Sequence, residues 1–164
     1  MKTTFIATAV AFVAACSTLT AQADSWKDLK GAAKQQAAQR AESELGLPQA
    51  ATAGAKAYII SPQNDAEVSS PVKVLFGLSG MGVAPAGVNQ TGTGHHHLLI
   101  DSPEVDFTKS LAMTDQIKHF GGGQTEASIE LKPGTHTLQL LLGDWKHQPQ
   151  NPAVLSEKIT ITVK

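Results

Sequence analysis

From Ala57 onward apolar and polar residues alternate with a period of two, in runs bounded by glycine and proline, which predicts β-strands. Val72, Val74, Phe76 and Leu78 share one strand face, as do Ala127, Ile129 and Leu131. His136, Leu138, Leu140 and Leu142 form a third row, and Ile159, Ile161 and Val163 a fourth. With Tyr58 to Ile60 and the run from His95 to Asp101, the pattern gives about six strands. Turn signals such as Ser61-Pro62-Gln63-Asn64-Asp65 and Lys132-Pro133-Gly134 separate them. Each strand must bury one face, so residues 57–164 are expected to form an all-β domain, an immunoglobulin-like antiparallel β-sandwich. Two stretches, Gly80 to Gly94 and Pro103 to Gln124, carry few core candidates and read as long surface loops on that scaffold.

Upstream the period changes. Trp26 to Leu45 is rich in alanine, glutamine, lysine and glutamate, with Ser25 and Asp28 resembling a capping box and Gly46 and Pro48 as stop signals. This predicts a short N-terminal helix whose stripe (Trp26, Leu29, Ala33, Ala37, Ala41, Leu45) is too rich in alanine to bury much area. Gln49 to Lys56 has no periodicity and reads as a linker, so 24–56 is expected to be a helical spacer and linker. Before it, Lys2, the charge-free run Thr3 to Ala15 and the small-residue site Ala21-Gln22-Ala23 read as a signal segment, residues 1–23. Val13-Ala14-Ala15-Cys16 also resembles a lipoprotein processing box, in which case Cys16 would be lipidated and tether the protein to a membrane. Both readings place the protein outside the cytoplasm, periplasmic or secreted.

Length and charge narrow the picture further. A chain of 164 residues with 41% hydrophobic content supports one domain plus an appendage. Removal of residues 1–23 leaves 12 basic against 14 acidic side chains, a net charge of −2 with no basic stripe, so nucleic acid is not an expected partner. The lone Cys16 goes with the leader, so packing, not disulfides, must hold the domain. No nucleophile elbow, mature cysteine or acid/base pair is evident, and no enzyme is expected.

The six histidines all lie between His95 and His147. On an extended strand His95 and His97 point to one face at a spacing a metal ion can bridge, while His96 falls in phase with Leu98 and Ile100, inward and satisfied by a hydrogen bond. His119 and His147 sit in loops able to complete a coordination shell, and Met81 or Met113 could add a thioether. The candidate ligand set is therefore His95, His97, His119, His147 and Met81, with copper the first choice and zinc the second. His136, at a strand start after Pro133-Gly134, reads as structural. Asp101 and Asp144 end strands, where a carboxylate is solvated or bonded to turn amides unless it partners an imidazole.

Five segments carry a family resemblance: Met81 to Gly87 (MGVAPAG), Gly94 to Leu98 (GHHHL), Gly123 to Glu126 (GQTE), Pro133 to Leu140 (PGTHTLQL) and Gly143 to His147 (GDWKH). Across Ile60 to Val163 the sequence resembles the exported bacterial family of the domain of unknown function 4399. The resemblance implies export and a β-rich domain, and no activity. The residues themselves point to an exported metal-binding or metal-handling module, partnered by a metal ion. The alternative is a non-catalytic sandwich that binds or braces an envelope component, with histidines that only secure loops.

Overall fold

The computed structural model describes residues 26–164 except 35, 39, 42 and 43; the signal segment, Cys16 and Ser25 lie outside the described residues. The chain divides into two compact units, Met1–Ala38 and Gln39–Lys164. In the first, the described residues 26–34 and 36–38 are helical and exposed, as the alanine-rich stripe predicts.

Apart from residues 40, 41 and 44, which are helical, the described residues of the second unit are all-β, with nine strands in two sheets that give a sandwich-like arrangement. The smaller sheet has the order β1-β3-β7, where β1 is Lys56–Ser61, β3 is Val72–Ser79 and β7 is Glu126–Ile129. The larger runs β2 (Ala66–Val68), β9 (Ile159–Val163), β8 (Gly134–Gly143), β5 (Thr93–Ile100). The far edge of β5 is shared: β4 (Gly82–Val83) pairs parallel with its start and β6 (Ile117–His119) antiparallel with its centre. β2, β4 and β6, only two or three residues long, went unpredicted because so short a run cannot display a period.

The predicted rows meet between the sheets. Val72, Val74 and Phe76 from β3 pack with Leu98 and Ile100 from β5, Leu138, Leu140 and Leu142 from β8, and Ile161 and Val163 from β9. A smaller second core lies on the other face of the large sheet, where Leu99 and Leu141 are covered by Leu111 and Ile117. The stretch expected to be a surface loop thus roofs the sheet and contributes β6. Leu98-Leu99-Ile100 and Leu140-Leu141-Leu142 lack alternation because β5 and β8 are buried on both faces. The upstream segment is built into this unit at Gln49, which is buried, and at Ala51, whose N–H donates to the Asn151 carbonyl at 3.1 Å.

Candidate metal centre

Strand alternation divides the triple histidine of β5. His96 enters the main core with Leu98 and Ile100, its ring 5.3 Å from that of Phe76. His95 and His97 take the opposite face, in line with Leu99, and like His96 have no solvent exposure. Pairing then supplies the third ring. β6 runs antiparallel to β5 with His119 directly opposite His97, and their centroids lie 5.1 Å apart. The fourth comes from the loop after β8: the Asp144 N–H donates to the Gln148 carbonyl at 2.7 Å, and His147, with φ of 67°, returns over the sheet. His147 lies 4.7 Å from His119, 5.0 Å from His95 and 6.2 Å from His97, centroid to centroid. His95 is 4.8 Å from His97 and 5.0 Å from His119.

Two glycines make room for these rings. A Cβ on Gly143, which faces His95 across the β5/β8 ladder, would stand 2.6 Å from His97 Cε1. One on Gly121 would overlap His119 Cε1. Sequence reading missed both; the available signal was their position beside candidate ligands, in Gly143-Asp144-Trp145-Lys146-His147 and His119-Phe120-Gly121.

Burial favours the uncharged form of His95, His97 and His119. Burial, reinforced by the neighbouring His147, His119 and His96, lowers the His95 pKa to about 4. Burial, then the facing histidines, takes His97 to about 3; an opposing pull from the His95 backbone falls short of a hydrogen bond. His119 is lowered by burial and by His147. Both ring nitrogens of His95 and of His97, and Nε2 of His119, are buried without a protein hydrogen-bond partner. Buried polar atoms are paired in the great majority of native structures, so these orphaned nitrogens call for partners, and a shared ion can satisfy one nitrogen from each of the three rings. One nitrogen from each of His95, His97 and His119 lies within 4.8 Å of the others. Metal–nitrogen bonds of about 2.0–2.1 Å place tetrahedral ligands ~3.4 Å apart, so small ring rotations close the shell. The cluster is capable of coordinating a metal ion.

The remaining candidates are placed elsewhere. His96 is inward as expected, but the expected hydrogen bond is absent: both its nitrogens are unpartnered, and its ring lies beside that of Phe76 in the apolar core. Burial lowers its pKa to about 4. His136 is structural, with Nδ1 2.9 Å from Asp101 Oδ2 and Nε2 2.9 Å from the Lys132 carbonyl. Burial alone would lower its pKa, but the Asp101 carboxylate and that carbonyl outweigh it and raise the value. Asp101 serves this pair and the Thr137 amide, and is not joined to the four-ring cluster. Asp144 binds turn amides. Met81 is half-buried and packs against the main core.

Fold and site together define a sandwich-like β-domain with a histidine cluster able to take a metal ion. The chain belongs to the family described as Domain of unknown function (DUF4399), whose profile matches residues 74–164. That stretch begins within β3 and contains every histidine of the chain. Comparison with curated proteins and with solved structures gave no significant match.

Proposed function

We propose that the protein is an exported, non-catalytic metal-binding module, periplasmic or secreted, that holds copper with His95, His97, His119 and His147. The observation that carries the reading is the convergence of the His95, His97 and His119 imidazoles, which have buried nitrogens with no protein partner. Copper is favoured because an all-imidazole set suits copper, zinc and nickel, and divalent copper binds a given nitrogen site most tightly of the three. Zinc is the second choice. Met81, which packs against the main core, is left out of this set. Export rests on the charge-free run Thr3 to Ala15 and the Ala21-Gln22-Ala23 site, with membrane attachment only through Cys16. We read the fold as immunoglobulin-like: β1-β3-β7 against β9-β8-β5 matches strands A-B-E against G-F-C of that class.

Equilibrium dialysis of the tag-free mature protein against equimolar copper, zinc and nickel tests the assignment. One copper per chain is expected, falling to none in His95→Ala/His97→Ala with the far-ultraviolet spectrum of a β-domain retained. Unchanged stoichiometry in the double variant refutes the site; preferential zinc uptake refutes the choice of metal.

A further inference from the structure

The loop that presents His147 is organised around a side chain whose hydrogen bonds, among the described residues, go to backbone amides. Asp144 is the one acidic side chain fully buried among the described residues. Its Oδ1 accepts the backbone N–H groups of Lys146 at 2.8 Å and Gln148 at 2.9 Å, and its Oδ2 accepts that of Gln49 at 3.2 Å. Its own backbone closes the same turn, its carbonyl accepting the His147 N–H at 2.9 Å. Charge-assisted bonds of this kind are stronger than neutral ones, more so away from water. The turn has need of them, since His147 sits in the left-handed region at φ 67°, which a non-glycine residue holds only when its surroundings over-determine it. Beyond the turn, the Gly87 N–H donates to the Trp145 carbonyl at 3.0 Å and the Leu111 N–H to the His147 carbonyl at 2.8 Å.

We infer that Asp144 is a positioning residue for the metal centre: its buried carboxylate shapes the 144–148 turn that carries the His147 imidazole to the other three rings. The Gly143-Asp144-Trp145-Lys146-His147 run then works as one ligand-presenting unit. Gly143 leaves the space that the His97 and His95 rings fill, Asp144 gathers the amides, and His147 supplies the nitrogen. Through the Gln49 amide the same carboxylate also ties the upstream segment to the ligand loop. This inference rests on the metal-binding reading above.

Copper titration of the tag-free mature protein, followed by visible absorption and electron paramagnetic resonance, provides the test, with wild type compared to His147→Ala, Asp144→Ala and the double variant. Asp144→Ala is expected to weaken copper binding about 10–100-fold, with a spectrum shifted to that of His147→Ala. The double variant should bind no more weakly than His147→Ala alone, since both changes remove one ligand. A wild-type spectrum in Asp144→Ala, or losses that multiply in the double variant, overturns the inference while leaving the three-histidine site intact. A wild type that takes up neither copper nor zinc overturns the metal reading and this inference together.

Asp144→Asn is the milder variant should the alanine protein not fold. It keeps the side-chain shape and an acceptor oxygen for the Lys146 and Gln148 amides but turns an amino group toward that of Gln49, and the loss of charge weakens the bonds that hold the turn. The same spectral shift is expected, and in the metal-free protein the Lys146 and Gln148 amides should exchange at least ~10-fold faster as their protection weakens. Wild-type exchange and a wild-type spectrum in this variant overturn the inference.

Discussion

His96 shows what the triple histidine costs. Its neighbours on β5 converge on a metal-capable cluster, whereas His96 inserts an imidazole with two unpartnered nitrogens into the main core beside Phe76. A buried polar atom left unsatisfied costs about 1–3 kcal/mol, and an apolar group of similar volume removes that cost. His96→Leu is therefore expected to stabilise the metal-free protein by ~1–3 kcal/mol in urea denaturation, without changing copper stoichiometry. A destabilised variant would mean that the ring contributes more through packing than it loses through its nitrogens. The pH dependence has a definite sign. The folded-state pKa of His96, about 4, lies below the ordinary 6.5, so the folded protein binds fewer protons than the unfolded chain between those values. Stability is thus complete above pH ~6.5 and falls as the solution is acidified, by about 2 kcal/mol at pH 5 from this residue alone. His136, whose pKa is raised beside Asp101, acts in the opposite sense, adding stability that is lost as pH rises past its folded value. Denaturation midpoints at pH 5 and 7.5 should show a steep acid limb in wild type and a flatter one in His96→Leu.

Among the elements, β5 matters most, because it is flanked by β8 on one edge and by β4 and β6 on the other. Register on one edge places His119 beside His97, and on the other places Gly143 beside His95. The two glycines should not be equivalent. A methyl on Gly143 meets the His97 ring, which is fully buried. Overpacking of this kind costs about 1–3 kcal/mol, so Gly143→Ala is expected to lower both stability and copper affinity. Gly121→Ala meets the ring of His119, which is half-buried and can swing outward. It should weaken copper binding with the melting temperature of the metal-free protein within about 2 °C of wild type. Calorimetry and copper titration on the two variants decide this, and equal losses of stability would show that His119 is held as rigidly as His97.

For the whole molecule, a site that exists only in the folded chain must link metal binding to stability. Copper held at 100 times its dissociation constant is expected to stabilise the domain by about 2.7 kcal/mol, raising the melting temperature by roughly 10 °C, with reversal by a chelator. No shift at saturating copper would exclude binding to the native state. Much of this organisation was legible beforehand in the rows Val72-Val74-Phe76 and Leu138-Leu140-Leu142, whose alternation is a local property of extended backbone. The same rule separated His96 from His95 and His97. The roof over the large sheet, β6 within it, and the amide-binding role of Asp144 rather than an imidazole-binding one depend on which segments meet across long separations. The sequence by itself determined the strands and the face each histidine takes, because those follow from a two-residue repeat. Only the tertiary structure decided that His119 and His147 close over that face, because strand register and a turn held by a buried carboxylate bring together residues that no local pattern relates.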